Sequence, residues 1–405
     1  MATAVFPQAR QRPRKASRLW WHVHQWTGLK LAIFMSFICL TGTLAVVSAE
    51  IDWLLTPSLR VAPVGAAPQW GRIAQAAAAA PRVSEIRAIA APAASAFAAR
   101  VTVEFDDGRL GYLHAHPVTG RIQGATGFVD AARILRNLHR HLDLPTKIGV
   151  PIVSSLSLLL LITFATSLVV YKKWWRGFFR PVRTRDARTL WGDLHRLAGV
   201  WSLWFILLIA LTGLWYLVES LGGDAPPSPS AKAPAVERSV GATADRLDAS
   251  VAAARAADPA LVIESIRFPT EKSGAFVIEG QKAAWLVRPR ANAVWTDAAD
   301  ARVLLVTDGR DLGVHGRISE MADPLHFGSF AGYWTKIPWF LFGLALTALA
   351  VSGVAIYGLR VGREIGGGAL AAAWRGMGWW RWLACLGVAT GAVMITLLIV
   401  RGGGE

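Results

Sequence analysis

Five stretches of the 405-residue chain are nearly unbroken runs of apolar side chains, at about residues 27–49, 148–171, 197–218, 337–357 and 379–400. Each matches the roughly 20 residues that a helix needs to cross the hydrocarbon core of a bilayer. Each is bounded at one or both ends by Trp, Tyr, Lys or Arg, residues that favour the lipid–water boundary. Pro151 and Pro338 fall in first turns, where a missing N–H costs nothing. Between the runs the pattern shortens. Residues 70–80 and 244–256 read as helices, and 84–90, 99–105, 110–117, 261–268, 275–279 and 283–288 as strands. Asp106-Asp107-Gly108 and Val118-Thr119-Gly120 supply turns, and the Pro/Ser/Ala-rich stretch 222–237 reads as a linker. The expected fold class is a membrane α-helical bundle, four core spans in two parallel repeats plus a fifth span, carrying two α+β modules.

Composition agrees. Hydrophobic residues make up 53% of the chain and charged residues only 17%, against about 25% for a soluble domain. Mean hydropathy is +0.38. Two cysteines are too few for a disulfide-stapled scaffold. The net charge of +16 raises nucleic acid as a partner, but its placement argues against that. Arg10, Arg12, Arg14, Lys15 and Arg18 precede the first run. Lys172, Lys173, Arg176, Arg180, Arg183, Arg185, Arg188 and Arg196 lie between the second and third. Arg360, Arg363, Arg375 and Arg381 lie around the segment joining the fourth and fifth. Under the positive-inside rule, 1–26, 172–196 and 358–378 are cytoplasmic and the long segments 50–140 and 219–333 lie outside. The charge then suits topology and anionic membrane lipid, with no nucleic acid. Val47-Ser48-Ala49 would pass as a signal cleavage site. The first run is longer than a signal core and its residues recur later, so it is expected to remain as an anchor.

That recurrence is an internal duplication. Trp20, His24, Gly28, Thr41 and Gly42 reappear as Trp191, His195, Gly199, Thr212 and Gly213 at one offset of 171. Leu138-His139 stands ahead of the second run as Leu325-His326 does ahead of the fourth, and Thr146-Lys147-Ile148 echoes Thr335-Lys336-Ile337.

Four of the nine histidines occupy repeated positions: His24 and His195 at the cytoplasmic ends of spans, His139 and His326 at the external ends. A ligating group at a span suggests a functional site, and paired imidazoles on neighbouring helices are what a six-coordinate b-type haem requires. No Cys-x-x-Cys-His attachment motif is present. Gly28 and Gly199 follow their histidines by four residues, on the same helix face, where a flat macrocycle needs room. Gly42 and Gly213 follow by 18, five turns and about 27 Å along a straight helix, offering clearance for a second haem. The bland readings remain open: interfacial anchoring for a lone His, helix packing for the glycines and Thr-Gly pairs. Zinc is a poorer alternative because it wants three or four converging ligands.

His22 and His141 point away from the better candidates. His114 and His116 share one face of an expected solvated strand, and His315 falls in a loop. Cys39 and Cys385 read as small apolar residues. No Rossmann or Walker fingerprint occurs. Electrons would therefore come from a cytoplasmic reductase or membrane quinol.

At these residues the chain resembles the PepSY-associated transmembrane family, which includes iron-regulated inner-membrane proteins and ferric-siderophore reductases. The resemblance rests on Trp20-x-x-x-His24-x-x-x-Gly28 with Thr41-Gly42, on Trp191-x-x-x-His195-x-x-x-Gly199 with Thr212-Gly213, and on Leu138-His139 and Leu325-His326-Phe327-Gly328. His114-Ala115-His116-Pro117-Val118-Thr119-Gly120-Arg121 is similar to the closing strand and turn of a PepSY module. Pro289-Arg290-Ala291-Asn292 departs from the corresponding Pro-x-x-Gly turn. The resemblance implies two periplasmic PepSY modules and two b haems, one held by His24 and His195 and one by His139 and His326. It also implies reduction of a ferric siderophore in the periplasm. Electron delivery to another periplasmic acceptor, or a non-enzymatic PepSY regulator or scaffold, are the alternatives.

Overall fold

The structure, a computed structural model, describes residues 15–401 apart from 64, 235–239, 271–272, 284–285 and 365. Arg10, Arg12 and Arg14, the end of the 222–237 linker, part of the expected strand at 283–288, and the 402–405 tail lie outside the described residues.

In chain order the helices begin with α1 (Lys15–Lys30), α2 (Ala32–Val46), α3 (Ser48–Leu55) and α4 (Trp70–Ala78). Strands β1 (Val83–Ala90), β2 (Ala99–Phe105), β3 (Leu110–Ala115) and β4 (Ile122–Gly127) follow. Then come α5 (Ala131–His141), α6 (Thr146–Ser154), α7 (Leu156–Val170), α8 (Ala187–Trp201), α9 (Leu203–Ser220) and α10 (Val240–Ala257). Strands β5 (Val262–Arg267), β6 (Ala275–Gln281), β7 (Ala293–Asp297) and β8 (Val303–Thr307) precede α11 (Val314–Phe327), α12 (Tyr333–Glu364), α13 (Ala369–Met377) and α14 (Trp380–Val400).

Among the described residues, Thr146–Val170, Leu203–Ser220, Tyr333–Glu364 and Trp380–Val400 are long and apolar enough to cross a membrane. The pair α1–α2 would be a fifth, but it is bent by 67° at Leu31. The bend corrects the expectation of one straight first span. An apolar run reports how much chain can enter lipid, not its direction. The expected strand at 283–288 is also corrected. Leu286 takes a left-handed φ of 55°, which extended backbone does not tolerate, and the strands fall later, at β7 and β8. Strand β4 went unforeseen because Gly124 and Gly127 dilute its alternation.

The chain divides into two compact units. The first comprises Met1–Cys39, Ser155–Leu211 and Leu344–Gly387. Here Leu29 and Ala32 bury against Met377, with Val354 and Tyr357 alongside. The Lys30 ammonium donates to the Gly376 carbonyl at 2.7 Å. The α8 helix starts at Asp186, whose carboxylate accepts the Thr189 N–H at 3.1 Å.

The second unit comprises Leu40–Ser154, Thr212–Gly343 and Val388–Glu405. It holds one antiparallel sheet of eight strands in the order β4-β3-β2-β1-β5-β6-β7-β8. The two four-stranded sets therefore join through their first strands, Ala88 opposite Arg267 and Ala90 opposite Ser265. One face is covered by α4 and α10: Ile73 and Ala77, with Leu247 and Val251, pack on Ile89, Val101, Ile266 and Ile278.

Arginines tie each set of strands to a helix. Arg100 on β2 reaches Asp130, the N-cap of α5, at 2.8 Å. Asp52 of α3 is buried and accepts the Ala131 and Ala132 N–H groups at 2.8 and 3.2 Å. Arg288 holds Glu320 of α11 at 2.8 Å and Asp323 at 3.2 Å, and Arg290 also reaches Glu320. The two helices so fixed carry His139 and His326.

Candidate functional site

In the second unit the imidazoles of His139 and His326 face one another, ring centres 5.9 Å apart and planes 38° apart. Thr212 of α9 lies 2.7 Å from His326 Nδ1. Tyr216, one turn further, sits edge-on to His326 with centres 5.3 Å apart, and its hydroxyl donates to Asp323 at 2.6 Å. Burial first, and the neighbouring His139 second, push the His326 imidazole down to about 3. It is therefore neutral at physiological pH, the state in which a ring nitrogen can bind metal. Gly42 of α2 meets His139: a Cβ built there would lie 2.5 Å from Cε1. Gly213 is buried beside Thr212.

These contacts correct the clearance assigned to Gly42. Its missing side chain is used by the His139 ring. The five-turn phase from His24 to Gly42 also fails, since the helix turns at Leu31. The Thr-Gly pairs serve histidines from the other repeated position: Gly42 seats His139 and Thr212 bonds His326.

In the first unit, His24 Nδ1 lies 3.0 Å from the Thr166 hydroxyl on α7, and His195 Nδ1 lies 2.8 Å from the Ser352 hydroxyl on α12. Thr27 and Thr163 add a 3.1 Å hydroxyl contact between α1 and α7. A Cβ on Gly28 would meet nothing within 4 Å, whereas one on Gly199 would touch Leu349 at 3.6 Å. Gly353, which sequence reasoning passed over, stands 3.7 Å from His195 Cε1 by the same measure.

The other histidines do not join these pairs. His114 is only 1% exposed and bonds Ser58 Oγ at 2.8 Å, so the expectation of a solvated strand is corrected. His116 lies past the end of β3, where its Nδ1 accepts the Val118 and Thr119 N–H groups at 3.3 and 3.2 Å and builds the turn. His315 bonds the Gly223 carbonyl, and His22 is exposed on α1. Thr166, Ser352 and Asp52 were missed. A signal existed for two of them, because Thr166 follows His139 by 27 residues and Ser352 follows His326 by 26.

Residues 21–360 match the PepSY-associated TM region. The chain belongs to this family. No curated protein matches it. In this PepSY-associated TM protein, no group of three or more His, Cys, Asp or Glu among the described residues converges as a metal site. Cys39 and Cys385 form no disulfide.

Proposed function

We propose that this PepSY-associated TM protein is a di-haem b reductase of a bacterial inner membrane, passing electrons outward to ferric iron held by a siderophore. The observation that carries the reading is the His139–His326 separation of 5.9 Å between ring centres. Two imidazoles sharing one metal through nitrogens about 2 Å from it have ring centres roughly 6 Å apart. The His139–His326 pair therefore fits a bis-imidazole iron, and His24 and His195, at the other repeated position, would be the second ligand pair.

Haem, when bound, would supply one-electron redox chemistry at a potential tuned by the imidazoles that hold it and their surroundings. The chain's residues do the rest. Gly28 leaves open space one turn from His24. Asp52 and Arg100 fix the start of the helix that carries His139, and Arg288 fixes the helix that carries His326. By the positive-inside rule the basic segments support a cytoplasmic N-terminus and first pair, within reach of a cytoplasmic reductase or membrane quinol as electron donor. The eight-stranded sheet then lies in the periplasm, where it would dock the ferric siderophore. One electron converts each Fe(III) to Fe(II), which hard-oxygen chelators hold far less tightly, and the metal is released.

The test is the visible spectrum of the purified full chain, expressed with ample haem, before and after dithionite. The expected result is bis-imidazole b-haem absorbance at two haems per chain, reoxidised by ferric siderophores faster than by other acceptors. A colourless protein would defeat the reading.

A further inference from the structure

The proposed ligands need more than proximity: each must offer its Nε2 lone pair, so the proton of the neutral ring must sit on Nδ1. We propose that the hydroxyls of Thr166, Ser352 and Thr212 are positioning residues that hold the Nδ1 side of His24, His195 and His326 and so aim Nε2 of each ring at the iron. This rests on the di-haem reading and names residues that neither the family match nor the histidine pattern assigns.

The direction of the bonds is decided in the first unit. The Thr166 hydroxyl lies 2.7 Å from the Ile162 carbonyl and 3.0 Å from the Thr163 carbonyl of its own helix. Carbonyls only accept, so the hydroxyl proton has its acceptor within the helix, which leaves Thr166 Oγ1 a lone pair to accept from His24 Nδ1–H across 3.0 Å. Ser352 repeats the arrangement: its proton goes to the Leu349 carbonyl at 3.2 Å, leaving Oγ to accept from His195 Nδ1–H at 2.8 Å. Two helices of different sequence thus hold an imidazole in the same way, through a hydroxyl that also bonds back to its own helix. Thr212 makes the matching contact to His326 Nδ1 at 2.7 Å. A hydrogen bond on the far nitrogen fixes the tautomer and ring orientation and raises ligand basicity.

The experiment uses the full chain carrying Thr166→Val, Thr166→Ser, Ser352→Ala or Thr212→Val, with Thr163→Val as a control that leaves the His24–Thr166 bond in place. The readouts are haem retention against apomyoglobin, the midpoint potential of each haem by spectroelectrochemistry, and the Fe–His stretch by resonance Raman. Loss of an outer partner typically weakens metal binding 10–100-fold. A loss in that range is expected for Thr166→Val and Ser352→Ala, with a raised potential at one haem only. Thr166→Ser should restore both. A haem-loaded parent whose Thr166→Val, Ser352→Ala and Thr212→Val variants keep wild-type retention, potential and Fe–His frequency would overturn the inference and leave the di-haem reading intact. A parent without haem would overturn both.

Discussion

Gly42 lies directly against the imidazole of His139, so close that a methyl group on its Cα would fall 2.5 Å from Cε1 and 2.6 Å from Nδ1. Gly42→Ala must therefore push the ring aside. The expected outcome is loss of about one haem per chain, read by pyridine haemochrome. Gly28→Ala meets no protein atom within 4 Å and should fold normally. If it also lowers haem content, the space beside His24 belongs to the macrocycle.

Replacing His139 or His326 by Ala should remove about one haem, and replacing His24 or His195 should remove the other. A double replacement within one pair should cost no more than a single one, because either loss opens the same site. Unchanged haem content in the His326→Ala chain would overturn the pairing.

Asp52 is 3% exposed and accepts two N–H groups at the start of α5. Asp52→Ala leaves both donors without that acceptor. A lost helix cap costs about 0.5–2 kcal/mol, and the cost should be local. Hydrogen exchange is expected to quicken at Ala131 and Ala132 with little change in the sheet.

The Arg288–Glu320 pair is largely enclosed, with Glu320 5% and Arg288 23% exposed at the side chain. Arg288→Ala strands a buried carboxylate on Arg290 alone. Breaking a buried pair costs about 3–5 kcal/mol, and the remaining Arg290 contact should hold the loss to the lower end. Arg290→Ala, at a 53% exposed arginine, should cost less. Comparing the two thermal midpoints checks the order.

His114 supplies a pH dependence. Burial, followed by the nearby Arg100 guanidinium, pushes its imidazole from 6.5 down to about 4. Between these values the unfolded chain binds a proton that the folded chain does not. Stability should fall as pH drops from about 6.5 towards 4 and level off below, by at most about 3 kcal/mol. His114→Gln should flatten that slope in urea titrations taken across the window.

Much of this was readable in the chain, for definite reasons. His24 and His195 stood out because a duplicated pattern of five residues is hard to produce by chance. The strands around Asp106-Asp107-Gly108 were visible through their alternation and turn residues. The bend at Leu31 was not, since one apolar residue in an apolar run carries no directional signal. Thr166 and Ser352 look like ordinary small polar residues bonding back to their own helix, and only three-dimensional placement shows what their second lone pair meets. The pairing of Ala88 with Arg267 joins segments far apart in sequence, and neither strand's composition encodes its partner.

The junction between β1 and β5 has a consequence for how the chain could be divided. Severed within residues 222–234, each fragment would retain four strands and expose a bare, hydrogen-bond-hungry edge. The fittest occupant for either edge is the other fragment. Co-expressed pieces should therefore reassemble as a complementing pair, while either piece alone should be prone to self-association.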